Sequence, residues 1–96
     1  MLKKFTSPEY EREFRWNLAL VFAESGAVEF RDERLISRFV EHQEQVPLSS
    51  LTLDSLSMME LCIALEERWG VEMSPEQASQ FKTVSDLALH VLDRIR

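Results

Sequence analysis

Two glycines and three prolines in 96 residues are too few for a turn-dense all-β fold or for a flexible linker protein, so helices are the default. A single cysteine, Cys62, cannot build a disulfide framework, and with only His42 and His90 beside it no zinc cluster or other metal site is expected. The longest unbroken apolar run, Leu18 to Ala23, is far too short to span a bilayer. The opening Met1-Leu2-Lys3-Lys4 runs into charges rather than a hydrophobic signal segment, so no membrane insertion and a cytoplasmic location are expected. A composition of 45% hydrophobic and 29% charged residues is that of an ordinary soluble domain, and a chain of this length makes one unit rather than two.

Basic residues are also scarce, and unevenly so. The net charge is −6, with the first half nearly balanced. From Asp54 to Asp86 seven acids face only Arg68 and Lys82, a local balance of −5. Such a stretch repels a phosphate backbone, which disfavours nucleic acid as a partner and favours a basic protein surface.

What is present reads as a series of helices. Ser7-Pro8-Glu9 supplies a cap, a proline suited to the first helical position and an acid at the positive end of the dipole. Tyr10, Phe14, Leu18, Val21 and Phe22 then follow at spacings of three and four, and Gly26 closes the segment. Trp16 and Leu20 lie off that stripe. A second amphipathic stretch, Asp32 to about Glu44, places Leu35, Ile36, Phe39 and Val40 on one face and stops before Pro47. From Pro47 to Leu53 an irregular connector carries apolar teeth at Leu48, Leu51 and Leu53, expected to pack down. Asp54 caps a third helix to about Trp69, with Ser57 and Glu60 offering a rival capping box, and Gly70 ends it. Ser74-Pro75-Glu76-Gln77 opens a short helix of a little over two turns. Thr83 to Asp86 opens the last, with Val84, Leu87, Ala88, Val91, Leu92 and Ile95 as a strict stripe.

The third helix is unusual in having two apolar faces. Met58, Leu61, Cys62, Leu65 and Trp69 have the spacing of a core seam, whereas Leu56, Met59 and Ile63 share their face with Glu60 and Glu67. Apolar anchors among acids suit reversible docking of a basic partner, with Met59 as an adaptable contact. The same three residues would equally serve as core beneath the 32–44 helix, and periodicity alone does not choose. Ser55 stands at a helix amino end, whose free N–H groups and partial positive charge favour a phosphate ester on its hydroxyl. No base or glycine elbow lies near it in sequence, so hydrolase chemistry is poorly supported, and neither histidine has a recognisable partner.

Asp54-Ser55-Leu56, then Met59-Glu60-Leu61, Ala64-Leu65-Glu66-Glu67-Arg68-Trp69-Gly70-Val71-Glu72-Met73 and Thr83-Val84 resemble the acyl carrier protein family over roughly Leu51 to Ile95. The resemblance implies an all-α fold, a small helical bundle of about four main helices plus a short one with an extended N-terminal region. It makes residues 1–96 a single carrier-protein domain: 1–46 hold the N-terminal helices, one of them added, and 47–96 form the carrier core. It implies that Ser55 carries 4′-phosphopantetheine from coenzyme A, with Asp54 and Leu56 flanking it, and that the arm's thiol holds acyl groups as thioesters. Leu56, Met59, Glu60, Ile63, Glu66 and Glu67 would then meet a phosphopantetheinyl transferase, acyl-activating ligases, synthases and transferases through their basic patches. The chain would be a shuttle in fatty-acid, polyketide or related specialised biosynthesis, not an enzyme.

Two features depart from the family pattern. Leu51-Thr52-Leu53 stands where Leu-Gly-x is usual, a change expected to alter the turn before Ser55, and two helices precede Ser55 where one helix and a long loop are typical. Two other readings remain open. One is an aminoacyl or peptidyl carrier loaded by an adenylating ligase, and the other is an unmodified helical docking module.

Overall fold

A computed structural model describes residues 8–41 and 44–95. Ser7 and His42, named above, lie outside them. Helix α1, Pro8–Ser25, carries Glu9 and Glu11 in its first turn and buries Phe14, Leu18, Val21 and Phe22, with Tyr10 half-buried. Trp16 and Leu20 are exposed, as their place off the stripe predicts. Gly26 ends α1 at φ 125°, and the Ala27 amide turns back to the Phe22 carbonyl at 2.9 Å, a closure that a glycine permits without steric cost.

A 3-10 turn, Val28–Arg31, leads into helix α2, Glu33–Val40, whose cap Asp32 accepts from the Arg34 amide at 2.9 Å. The helix is shorter than the Asp32–Glu44 reading. The Phe39 carbonyl, which a longer helix would use in its own ladder, instead accepts from Nε and Nη2 of Arg15 at 3.0 and 2.8 Å. Arg15 belongs to α1, is only 1% exposed, donates a further 2.8 Å bond from Nη2 to Ser85 Oγ and stacks 4.1 Å from the centre of the Phe39 ring. Its Nη1 finds no hydrogen-bond partner among the described residues.

The connector packs down as its apolar teeth require: Leu48 and Leu51 are buried and Leu53 half-buried around a 3-10 turn at Leu48–Ser50. Its backbone is tied to the segment before the last helix by Leu48 N–H to Lys82 C=O, 2.8 Å, and Val84 N–H to Val46 C=O, 2.9 Å. Helix α3, Ser55–Trp69, is capped by Asp54 rather than Ser57, and Gly70 closes it in the left-handed region at φ 69°. The short helix α4, Pro75–Ser79, has its complete capping box from Ser74 and Gln77 but is only five residues long, less than the two turns expected. Helix α5, Val84–Ile95, begins at Thr83, whose hydroxyl accepts from the Asp86 amide.

The fold is all-α: the described residues contain no strand, only an isolated bridge between Pro47 and Thr83. Helix α1 is the hub, touching α2, α3 and α5. One continuous core joins both halves of the chain, with edge-on ring contacts from Phe22 to Phe30 and from Phe30 to Phe39, and from Phe14 to Trp69.

The end of α1 also sets where α3 starts. A Cβ on Gly26 would lie 2.6 Å from Ser57 Oγ, closer than real contacts allow. We therefore expect Gly26→Ala to cost about 2 kcal/mol, from the combined strain of a positive φ and overpacking. Equilibrium urea unfolding checks this, and an unchanged midpoint would show that the close approach carries no energetic weight.

Candidate functional site: the amino end of the third helix

Asp54 stands in extended backbone at φ −87°, and its Oδ1 accepts from the Ser57 amide at 2.8 Å. The Ser57 amide and hydroxyl hold its carboxyl below the usual carboxylate range. This cap takes care of one of the amides that a helix start leaves unpaired. Ser55 is the first residue of the helix and exposed, and its hydroxyl makes no hydrogen bond among the described residues. A phosphodiester on Ser55 Oγ fits here: the oxygen is open to solvent, and the helix dipole presents its positive end.

Beyond Ser55 the two faces of α3 separate. Leu61, Cys62 and Leu65 are buried, with Met58 and Trp69 half-buried at the edges of the seam. Leu56, Met59 and Ile63 are 63%, 51% and 54% exposed. They do not pack beneath α2, which is held against α1 by Arg15 and the phenylalanine contacts. Glu60, Glu66 and Glu67 are exposed as well. At about 100° per residue, the six residues share an arc of roughly 120°, with Glu66 at its margin nearest Ser55. The structure therefore leaves in solvent, on one surface, all the residues that the sequence pattern singled out.

Two open grooves adjoin one another, and Ser55 lines the first of them. One, of about 430 Å³, is lined by Ser55, Met58, Met59, Pro75 and Ser79, and the other, of about 660 Å³, by Leu48, Leu51, Met58, Phe81 and Thr83. Met58 and Leu53 belong to both. Of the large rings that might have filled such space, Phe39 is wholly buried in the core and Trp69 packs on Phe14, while Phe81 lines the groove and meets the His90 ring at 5.2 Å. A smaller groove between α3 and α4, of about 330 Å³, reaches Cys62. Burial, and then the charge of Glu76, push the Cys62 thiol above its ordinary pKa. Among the described residues no three His, Cys, Asp or Glu side chains gather as a metal would need.

Two interactions lie outside what the sequence pattern pointed to, one at this site and one in the core. Thr52, three residues before Ser55, donates its amide to Glu29 Oε1 at 3.0 Å and its hydroxyl to Glu29 Oε2 at 2.7 Å. The Thr52 amide and hydroxyl hold the Glu29 carboxyl below its usual range. The core interaction is that of Arg15, whose place one turn before Leu18 and Ala19 is the sign in the sequence that a cation lies on the buried face of α1.

A family profile described as "Phosphopantetheine attachment site" matches residues 36–91, from the middle of α2 through most of α5. The chain is 34% identical over 71 residues to an acyl carrier protein of Helicobacter hepaticus, covering 74% of this chain and 83% of that protein. It is 40% identical over 45 residues to one from Streptomyces coelicolor, 47% and 49% of the two chains. It is 44% identical over 52 residues to one from Thermosynechococcus vestitus, 50% and 64% of the two. No solved structure matches. Fold and matches together define a carrier protein, not a catalyst, of the class that works through covalently attached 4′-phosphopantetheine. The chain belongs to the acyl carrier protein family.

Proposed function

We propose that Ser55 is the attachment point of the 4′-phosphopantetheine arm and that the outer face of α3 receives the enzymes that load and use it. The observation that carries this reading is the position of Ser55: exposed, with an uncommitted hydroxyl, on a capped helix start inside the matched range, next to two grooves and an acid-edged apolar face. On a phosphopantetheinyl transferase, Ser55 Oγ forms a bond to the pantetheine-bearing phosphorus of coenzyme A. The anhydride bond to 3′,5′-bisphosphoadenosine breaks, that nucleotide leaves, and the hydroxyl proton passes to the transferase. When bound, the arm supplies a thiol that holds acyl groups as thioesters. Asp54 and Leu56 frame the modified residue, while Met59, Glu60, Ile63, Glu66 and Glu67 offer apolar anchors and negative charge to basic patches on acyl-activating ligases, synthases and transferases.

The cargo is an acyl group of fatty-acid, polyketide or related specialised biosynthesis, handled in the cytoplasm; no helix among the described residues is long and apolar enough to cross a membrane. The chain acts as one carrier domain in which residues 1–46 brace a carrier core of residues 47–96, a reading supported by the single hydrophobic core that both segments share.

The test is the intact mass of the chain before and after incubation with coenzyme A and a broad-specificity transferase, with Ser55→Ala alongside. We expect one phosphopantetheine on the native chain and none on the variant. A gain that persists in Ser55→Ala would move the attachment elsewhere, and no gain on the native chain with several transferases would favour an unmodified docking module.

A further inference from the structure

Ser55 lies between two points at which the N-terminal region grips its surroundings. On one side Glu29 binds Thr52 through both carboxylate oxygens, across 23 residues of sequence. On the other, Gly26 lies so close to Ser57 that a methyl group would not fit. The short run from Gly26 to Glu29 therefore lies alongside the approach to α3, in close contact with it at Gly26 and hydrogen-bonded to it at Glu29. Glu29 is itself well held. It sits in the 3-10 turn at Val28–Arg31, its carbonyl accepts from the Asp32 amide, and its neighbour Phe30 is locked in the core between Phe22 and Phe39. A carboxylate on so firm a base can fix the backbone it binds, and bidentate acceptance fixes direction as well as distance. The glycine usual in the family at this place has no hydroxyl, so the bond to Oε2 exists because this chain carries Thr52.

We propose that Glu29, acting through Thr52, is a positioning residue for the loading of Ser55. The pair holds the Thr52–Asp54 approach in the one conformation that presents the Ser55 hydroxyl for transfer. This inference rests on Ser55 being the attachment point. Helix α1 and the turn after it thereby contribute to the site although the family profile starts only at residue 36. Misplacement of a reacting hydroxyl lowers the rate of the chemical step more than it lowers encounter, so loss of the pair is felt mainly in kcat.

The experiment follows phosphopantetheine transfer from coenzyme A by intact mass, over a range of carrier concentrations, for the native chain, Glu29→Ala, Thr52→Val, the double variant and Thr52→Ser. Urea unfolding of each variant separates loading effects from loss of fold. We expect kcat to fall about tenfold in each single variant with KM changed less than about threefold. Glu29→Ala removes both bonds and Thr52→Val only the one from the hydroxyl, so the double variant should be no slower than Glu29→Ala alone. Thr52→Ser, which keeps the hydroxyl and the amide, should restore most of the rate. Native rates in Glu29→Ala and Thr52→Val would overturn the inference, as would multiplicative effects in the double variant, or a Thr52→Ser as slow as Thr52→Val. A native chain that gains no mass at all would instead overturn the attachment reading itself, so the two failures are distinct.

Discussion

Arg15→Ala is expected to lose about 4 kcal/mol of folding stability, a large share of the roughly 5–15 kcal/mol that holds a domain of this size together. The side chain is buried and joins three helices: it donates twice to the Phe39 carbonyl at the end of α2 and once to Ser85 at the start of α5, from within α1. Removing it leaves a buried carbonyl and a buried hydroxyl without partners, opens a cavity and ends the stacking on Phe39. Against this stands the cost of burying a cation, which pushes the Arg15 guanidinium below its ordinary pKa despite the nearby charge of Glu11. Its Nη1, without a hydrogen-bond partner among the described residues, adds to that cost. The positive charge still sits well, because it faces the negative end of the α2 dipole. Arg15→Met, which fills most of the volume but satisfies neither acceptor, should lose about 2–3 kcal/mol. Equilibrium urea unfolding followed by far-UV circular dichroism measures both. If Arg15→Met were as stable as the native chain, the desolvation cost would cancel the bonds, as happens when some buried ion pairs are replaced by apolar residues.

The second large effect falls on function and spares stability. Met59→Asp and Ile63→Asp should each lower the kcat/KM of phosphopantetheine transfer by about thirtyfold, the size of a central interface contact worth about 2 kcal/mol. Their urea midpoints should stay within about 0.5 kcal/mol of native, since both side chains already face water. Reversing charge at Glu60 and Glu67 together should act differently. Exposed acids steer encounter, so the loss should be largest at low salt and shrink as the Debye length falls. Native rates in both aspartate variants would remove the outer face of α3 from the docking surface.

The helices were legible where the signal was local. The caps at Asp54 and Ser74, the closing glycines and the stripe of α5 depend on residues within a few positions of one another, and each is where the pattern placed it. The two faces of α3 were legible in the same way. Which of them is covered was not, because that depends on where α2 packs, and α2 is placed by Arg15 and by rings distant in the chain. The early end of α2 has the same origin, since Phe39 gives its carbonyl to a residue 24 positions earlier. At the site, Ser55 and its acidic neighbours stood out by type and spacing. Thr52 stood out only as a departure, and nothing near it pointed to Glu29, 23 residues away.

Cys62 bears on the safety of the cargo. It lies two turns after Ser55 on α3, roughly 10 Å along the axis, and lines a groove that shares Met59, Pro75 and Glu76 with the one at that serine. A flexible arm rooted at Ser55 would put a thioester within range of this second sulfur, and a thiolate there would draw the acyl group onto the protein as a dead-end product. Burial, and then the charge of Glu76, raise the thiol's pKa and so lower the share present as thiolate, the form that attacks a thioester. With the arm on Ser55, both effects would work against self-acylation and leave the acyl group for another protein to take.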